Sequence, residues 1–182
     1  MEIKIIFANL LYAFQYNGET NNELQRLFLN WNDNEFLFDF FEENLADLQS
    51  GFYGPMSVED AVLSTTKEAQ LLEEIILDNR ENQKFELHKL FEKDLNKIES
   101  PFKELIPKKA YGPYRKSWLR LYAIEVSKDC YIITGGAIKL TEKMSQRKHT
   151  MKELDKMRMC LQYLKDNGIY DNQGIIETIE FD

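Results

Sequence analysis

Residues 118–150 read WLRLYAIEVSKDCYIITGGAIKLTEKMSQRKHT, and this stretch decides the fold. Two segments within it, 118–126 and 131–140, are short and rich in β-branched and aromatic residues, which is typical of strands. The four residues 127–130 separate them, and this spacing predicts a β-hairpin. Because both faces of the pair are largely apolar, we expect the hairpin at the centre of a sheet that is covered on both sides.

The register of this hairpin decides where its two cations lie. Arg120 and Lys139 share one face as diagonal neighbours if Lys128 and Asp129 form the corners of a two-residue turn. A slip of one residue would send the two cations to opposite faces. The first register predicts these pairs: Val126 with Tyr131, Tyr122 with Gly135, Arg120 with Ala137 and Trp118 with Lys139. The two adjacent glycines of the second strand indicate a bulge, a bend or a close backbone approach.

The charge of the chain is unevenly distributed. The formal net charge at pH 7 is −8 over 182 residues. Residues 101–166 hold fifteen lysines and arginines and seven acidic residues. Residues 1–100 hold eight basic and twenty acidic residues, and residues 167–182 hold four acidic residues and no lysine or arginine. A basic module can bind phosphate within an acidic chain, because potentials act over about a Debye length. A solvated surface of mixed charge is the alternative interpretation.

Composition favours a single globular domain over residues 1–182, with 43% hydrophobic and 30% charged residues. Within it, we expect an acidic first strand with helices over 1–100, a basic loop, hairpin and helix over 101–166, and an acidic strand or tail over 167–182. No apolar run is long enough to span a bilayer, and the first residues lack the pattern of a signal peptide, so we expect a cytoplasmic protein.

The chain has two cysteines, Cys130 and Cys160, without a C-x-x-C spacing or a nearby pair of histidines. This usage favours reduced core residues over a disulfide or a metal site. The sequence therefore predicts no metal and no cofactor.

The N-terminal half is predicted to hold one strand followed by helices. Residues 2–16 form a long apolar and aromatic run, which is typical of a strand. Capping residues at Thr20, Asp33 and Ser57 predict the starts of three helices. Apolar residues at less regular helical spacing favour a further helix over 81–98.

The segment 101–117, PFKELIPKKAYGPYRKS, holds three of the four prolines and is predicted to be an irregular loop. Its cations lie beside tyrosines, a composition that suits single-stranded nucleic acid and equally any surface loop. The candidate RNA-binding residues are six residues of this loop, Lys108, Lys109, Tyr111, Tyr114, Arg115 and Lys116, and Lys148 further along the chain.

The C-terminal part is predicted to be a helix and then a strand. Thr150 and Glu153 match a capping box, and Met151, followed by leucines at helical spacing, predicts the buried face of the helix. Residues 175–181 predict a last strand.

The order of these elements resembles the RelE/ParE superfamily of bacterial toxins, nearest to its HigB-like branch. The likeness rests on R-x-Y at Arg120-Leu121-Tyr122 and on G-x-x-K-x-T within residues 135–141, and covers about a third of the chain. It implies an α+β fold in which N-terminal helices and a C-terminal helix pack a small twisted antiparallel sheet. The segment 20–100 holds more helix than these toxins normally carry.

The resemblance implies the toxin of a type II toxin–antitoxin system, which cleaves mRNA on the ribosome until a protein antitoxin covers its site. Arg120 matches the strand arginine that holds the scissile phosphate, and Lys139 matches the lysine after the next strand. Lys143 and Arg147 fall in the basic stretch beyond, and His149 is added because a histidine near neutral pH can move a proton. These five are the candidate catalytic residues of a metal-independent endoribonuclease.

Two other functions stay open. A non-catalytic binding module would dock an acidic protein or a nucleic acid through the basic face, with an affinity that falls steeply with salt. A scaffold protein would use its charge asymmetry to self-associate. The single lysine where the family has two, and the acidic tail, weigh against catalysis more than against the fold.

Overall fold

The computed structural model describes residues 1–50, 52–78, 87–96, 98–100, 102–114, 116–143 and 147–181. The strands in these ranges are β1 (Glu2–Phe7), β2 (Leu11–Gln15), β3 (Lys93–Asp94), β4 (Ile106–Tyr111), β5 (Leu119–Ser127) and β6 (Cys130–Ile138). The helices are α1 (Glu23–Asn32), α2 (Asn34–Glu43), α3 (Leu45–Leu48), α4 (Val58–Asp78), α5 (Leu87–Leu90), α6 (Lys148–Asp166) and α7 (Asn172–Phe181). None of these helices combines the length and apolarity needed to cross a membrane.

The six strands form one sheet in the order β1-β2-β6-β5-β4-β3. Among the described strands, four pairs of neighbours are antiparallel, and β2 runs parallel to β6. The predicted α+β class is confirmed, but the sheet is mixed rather than antiparallel throughout. The chain reverses its direction after β1, so β2 runs in the same direction as its other neighbour, β6.

The apolar run 2–16 is two strands, and the prediction of one long strand is wrong. Asn9 adopts a φ of 67°, a left-handed conformation that asparagine tolerates better than most residues. The N–H of Leu10 donates to the carbonyl of Phe7 at 3.1 Å and closes the turn. The side chain of Asn9 accepts from Asn172 at 3.0 Å, which satisfies its amide oxygen and ties the turn to α7.

The hairpin of β5 and β6 has the turn that the sequence predicted. Ser127 pairs with Cys130, which places Lys128 and Asp129 at the corners. Asp129 has a φ of 60°, a left-handed conformation that aspartate tolerates better than most residues.

The predicted register holds over the far half of the hairpin and fails near the turn. The predicted pairs that the structure confirms are Tyr122 with Gly135, Arg120 with Ala137 and, through a backbone hydrogen bond, Trp118 with Lys139. Near the turn, Tyr131 pairs with Glu125 rather than with Val126, because Val126 is the extra residue of a bulge. A second bulge, at Thr134 in β6, cancels the shift, so the two predicted cations still share one face.

Each face of the sheet is covered by its own helical layer. Helices α1, α2 and α4 pack on one face, to which β5 contributes Leu119 and Leu121. Helix α6 packs on the other face, to which β5 contributes Tyr122 and Ile124. The alternation of side chains along β5 thus divides the core in two. Met151 was expected on the buried face of α6 and is 47% exposed.

The predicted helix caps are confirmed at two positions and wrong at two. Asp33 caps α2, and the hydroxyl of Ser57 accepts from the N–H of Asp60 before α4. The capping box of α1 is Asn22 with Gln25 rather than a box that starts at Thr20.

The predicted box of α6 is absent because its carboxylate is used elsewhere. Helix α6 begins at Lys148, and the Thr150 hydroxyl donates to the carbonyl of Arg147 at 2.9 Å. The carboxylate of Glu153 accepts from the N–H of Gly136 in the sheet, at 3.0 Å.

Three further predictions of secondary structure are corrected. The supposed loop 101–117 contains β4, which hydrogen-bonds along one edge of β5. The supposed helix 81–98 is helical over α5 and extended at β3, and its residues 81–86 and 97 lie outside the described ranges. The supposed strand 175–181 belongs to α7, because Ile175 and Ile179 lie one helical turn apart and pack against the same core.

The glycines of β6 allow both layers to approach the sheet closely. A Cβ on Gly135 would lie 1.9 Å from a carboxylate oxygen of Glu153 in α6. A Cβ on Gly136 would lie 2.8 Å from Leu27 in α1 and 2.6 Å from the carbonyl oxygen of Arg120. The close backbone approach that the paired glycines predicted is therefore present on both faces.

Gly136→Ala should destabilise the protein, because the backbone carbonyl of Arg120 cannot move aside as a side chain would. We expect the free energy of unfolding to fall by about 2 kcal/mol, as for overpacking in a core. Urea unfolding measures this change. Adding Leu27→Ala should not restore the loss, since the contact with the carbonyl remains. A free energy of unfolding equal to that of the wild type would contradict this account of β6.

Candidate functional site

Four cations line one cleft on the sheet face that carries Tyr122. We call it the cationic cleft; it encloses about 170 Å³ and is lined by Lys109, Tyr111, Arg120, Tyr122, Lys139, Lys143, Leu95 and Glu142. Strand pairing places Lys109 opposite Tyr122 and Tyr111 opposite Arg120, so these side chains share a face. The predicted proximity of Arg120 and Lys139 is therefore present in the structure.

Arg120 is held on several sides and is 8% exposed. Its Nη1 donates to the carbonyls of Ser117 and Leu119, both at 2.7 Å. Its Nη2 donates to the hydroxyl of Tyr53 at 3.3 Å, and the guanidinium lies 4.1 Å from the ring centroid of Tyr111. These contacts use three of the five guanidinium N–H groups, so two remain for a ligand.

Glu68 of α4 places a buried carboxyl near Arg120. It is 6% exposed, and one of its oxygens has no hydrogen-bond partner in the described part of the chain. Burial raises the pKa of Glu68, against a hydrogen bond from Ser117 and the positive charge of Arg120. No local pattern in the sequence marked Glu68 as a buried residue.

Lys139 and Lys143 come from the segment between β6 and α6. The ammonium of Lys139 donates to the carbonyls of Thr141 at 2.7 Å and Glu142 at 2.6 Å. The chain therefore curls around this ammonium and fixes it at the wall of the cationic cleft. Lys143 is exposed at the mouth of the cleft.

Tyr122 brings an unsatisfied polar group to the cationic cleft. The residue is 1% exposed, and its hydroxyl has no hydrogen-bond partner in the described ranges. Burial raises the pKa of Tyr122, so the phenol is protonated at neutral pH. Buried hydroxyls are seldom unpaired, and this one can donate a hydrogen bond to an anion in the cleft.

The other two candidate catalytic residues lie outside the cationic cleft. Arg147 forms a two-pronged ion pair with Asp47 of α3. The Nε2 of His149 lies 3.0 Å from the carbonyl oxygen of Ile138, and the ring packs edge-on against Phe40. Burial lowers the pKa of His149, so its ring is neutral at neutral pH. Neither residue is in the lining of the cleft that holds Arg120.

The candidate RNA-binding residues divide in the same way. Lys109 and Tyr111 line the cationic cleft. Lys108 pairs with Asp94 at 2.8 Å and with Glu125 at 3.0 Å, which neutralises its charge. The exposed candidates that do not line the cleft are Tyr114, Lys116 and Lys148, and Arg115 lies outside the described residues.

A group of four charged side chains, which the sequence did not predict, joins α1 to α6. Arg26 donates to the carboxylate of Glu23 at 2.7 and 2.9 Å, and Lys156 reaches the same carboxylate at 2.8 Å. Lys156 also lies 3.4 Å from Glu153. Burial raises the pKa of Glu153 to about 7, although Lys156 opposes this. About 130 residues separate the two acids in sequence, so only tertiary structure brings them together.

A second cavity, of about 240 Å³, lies between α1, α2, β6 and the start of α6. We call it the aromatic pocket, and its lining is Arg26, Leu27, Asn30, Trp31, Phe36, Phe40, Gly136, Ala137, Ile138, His149 and Glu153. Phe36 and Phe40 stack with their ring centroids 6.5 Å apart. His149 therefore belongs to this pocket and not to the cationic cleft.

Neither cysteine is placed for reaction. Cys130 and Cys160 are free and buried, as expected for reduced core residues. Burial raises the pKa of Cys130 to about 11 and that of Cys160 to about 12, so both are thiols at neutral pH. Within the described ranges, no group of three or more histidine, cysteine, aspartate or glutamate side chains is arranged to hold a metal ion.

Glu153→Gln should remove a pH-dependent part of the stability. Burial raises the folded-state pKa of Glu153 from its ordinary 4.5 to about 7. The stability that this carboxyl contributes is complete below pH 4.5 and is lost as the pH rises through about 7. The free energy of unfolding of the variant, relative to wild type, should therefore increase by up to about 3 kcal/mol between acidic and mildly alkaline pH.

Urea unfolding of both proteins at several pH values measures this difference. Asp155→Asn is the control, because it neutralises an exposed carboxylate on the same helix. Profiles of wild type and Glu153→Gln that stay parallel from acidic to alkaline pH would show that the carboxyl does not titrate as described.

Comparison with known proteins adds no relative. No family model, curated protein or solved structure matches this chain. The function is therefore inferred from the two cavities, their side chains and the strand motifs.

Proposed function

We propose that this chain is an RNA-cleaving toxin of the RelE/ParE type, nearest to the HigB-like branch, and that the cationic cleft binds its RNA. The observation that carries the proposal is that Lys109, Arg120, Lys139 and Lys143 line a single cleft with Tyr111. Clustered cations create a positive local potential, which attracts an anion. A nucleic-acid backbone supplies that anion, and a neighbouring tyrosine can stack on a base.

The cleft residues meet the electrostatic needs of RNA cleavage. In that reaction the 2′ oxygen gives its proton to a base and bonds to the adjacent phosphorus, while the bond from phosphorus to the 5′ oxygen breaks and the 5′ oxygen takes a proton from water. Negative charge develops on the phosphoryl oxygens. The fixed guanidinium of Arg120 suits two phosphoryl oxygens, and its fixed position lowers the cost of reorganisation. The phenol of Tyr122 can donate to the same group. Glu142, a carboxylate in the lining of the cleft, would accept the proton of the 2′-hydroxyl.

The order of elements also supports the proposal. Helices α1 to α5 lie between β2 and β4, and α6 follows the hairpin that carries Arg120 and Lys139. This is the order on which the resemblance rests. The additional helix α4 lies behind the cleft, where the hydroxyl of Thr65 accepts from the indole of Trp118 at 2.9 Å. The extra helical segment thus supports the strand that holds the arginine.

The proposal includes two partners. The RNA would be mRNA on the ribosome, and a protein antitoxin would neutralise the toxin by covering the cationic cleft. Complementary charge suits this role, because an acidic segment would associate quickly with a cluster of lysines and arginines.

A non-catalytic binding module is the second candidate. His149, which was expected to move a proton, lines the aromatic pocket, and no histidine is found in the lining of the cationic cleft within the described residues. Docking an acidic protein or a nucleic acid needs the cations of the cleft but no proton transfer. This candidate predicts binding without cleavage.

Induction of the wild-type chain in a bacterial host should arrest growth, and Lys139→Ala should abolish the arrest. Removing one group that stabilises the transition-state charge lowers the rate roughly 100- to 1,000-fold. Arg120→Lys should also fail, because lysine keeps the charge but loses the fork. Growth curves at equal protein abundance measure the effect, and Lys116→Ala, which removes an exposed cation outside the cleft, should remain toxic.

Full arrest by both Lys139→Ala and Arg120→Lys would remove the cationic cleft from the mechanism. Normal growth with abundant, folded wild type would favour the binding module.

Binding of single-stranded RNA should weaken steeply with salt. Each cation that displaces a counterion contributes about 0.7 to the slope of log affinity against log salt. Lys143→Ala should therefore reduce the slope by about that amount, and Lys148→Ala, which lies outside the cleft, should not. Titration of a labelled oligonucleotide at several salt concentrations gives the slopes. Equal slopes for Lys143→Ala and wild type would show that Lys143 does not contact the backbone.

A further inference from the structure

The two edges of the sheet are unequal in length. One edge strand, β3, has two residues, whereas the other, β1, has six and pairs only with β2 among the described strands. The pairing of β1 with β2 is regular over residues 2–5. In an antiparallel pair, every second residue points its N–H and C=O groups away from the neighbouring strand. Strand β1 therefore presents backbone donors and acceptors to which a further strand can hydrogen-bond.

An open groove of about 710 Å³ follows this edge, and we call it the edge groove. Its lining is Glu2, Ile3, Lys4 and Ile5 of β1 with Thr178 and Ile179 of α7. Consecutive residues of a strand alternate between the two faces of the sheet, so a groove that touches all four runs along the edge of β1. Ile5 is 53% exposed, so a strand added here would cover apolar surface.

The charges of β1 alternate in a pattern that is complementary to itself. Glu2 and Lys4 are both exposed and form an ion pair within the strand, with Ile3 between them. When two such strands run antiparallel with Ile3 opposite Ile3, Glu2 of each strand lies opposite Lys4 of the other. A shift of two residues in either direction would place Lys4 opposite Lys4 or Glu2 opposite Glu2, which is unfavourable. Charge thus selects one register.

We propose that the edge groove binds β1 of a second copy of this chain, so that two six-stranded sheets join into one across a two-fold axis. Backbone hydrogen bonds between the two β1 strands hold the copies together, and the two cross-strand ion pairs set the register. In this register Ile5 of one copy lies diagonally beside Ile3 of the other. The contact removes the exposed side chain of Ile5 from water.

The same geometry limits the assembly to two copies. Both copies use the same edge, so the two-fold axis closes the contact. The opposite edge is formed by the two-residue strand β3, which gives a further copy little backbone to pair with. The inference does not depend on the proposed function, because β2 and β6 separate β1 from the strand that carries Arg120.

Sedimentation equilibrium over a range of protein concentrations tests the proposal. Wild type should sediment with twice the mass of one chain and dissociate on dilution. Ile5→Lys should weaken dimerisation roughly tenfold or more, because it replaces an apolar contact at the junction by a cation. Leu63→Lys is the control, since Leu63 of α4 is 69% exposed and is not in the lining of the edge groove. This variant should dimerise as wild type does.

Reversal of single charges tests the register. Glu2→Lys leaves two lysines on the edge and Lys4→Glu leaves two glutamates, so both cross-strand pairs become like-charged in each variant. Each variant alone should dimerise roughly tenfold more weakly than wild type. An equimolar mixture should form a heterodimer about as tightly as wild type dimerises, since every cross-strand pair again joins opposite charges. Both variants lack the ion pair within the strand, so recovery in the mixture reports the contact between copies alone.

Weakened single variants that recover when mixed support the proposal. A monomeric wild type at every concentration overturns it and assigns the edge to a strand of another protein. A dimer that Ile5→Lys and both charge reversals leave unchanged also overturns it, because that dimer uses another surface. Weakened variants that stay monomeric when mixed contradict the pairing of Glu2 with Lys4. Circular dichroism establishes that each variant is folded.

Discussion

Both helical layers reach the sheet through two adjacent glycines of β6. Gly135 leaves room for the carboxylate of Glu153, and Gly136 leaves room for Leu27. The approach allows Glu153 to accept from the N–H of Gly136, and it brings α1 close enough to α6 for Glu23 to bind a lysine of that helix. The aromatic pocket lies at this junction. Lys139, which lines the cationic cleft, directly follows β6. The positions of both cavities therefore depend on the absence of a side chain at Gly135 and at Gly136.

The same packing fixes the cations of the cationic cleft in place. Arg120 is fixed by carbonyl groups, by the hydroxyl of Tyr53 and by the nearby carboxyl of Glu68. Lys139 is fixed by two carbonyls of the segment that follows β6. These acceptors offset the repulsion among the cations of the cleft.

Local patterns predicted the centre of this fold, and long-range packing set the rest. The turn at Asp129 and the shared face of Arg120 and Lys139 followed from strand composition and a period of two. The paired bulges did not, because packing on both faces determines them. The turn at Asn9 had a signal, since asparagine tolerates the left-handed conformation, but apolar residues on both sides hid it. The aromatic pocket could not be predicted, because its residues come from three helices and a strand. His149 was identified by its chemistry, and the structure places it in the lining of the aromatic pocket.

Sequencing of RNA 5′ ends from induced cells tests the proposal that the cationic cleft cleaves RNA. Cells that make the wild-type chain should accumulate new 5′ ends, and cells that make equal amounts of folded Lys139→Ala should not. This result would place cleavage in the cleft. Intact RNA in cells with abundant wild type, or the same new ends in cells with Lys139→Ala, would contradict the account.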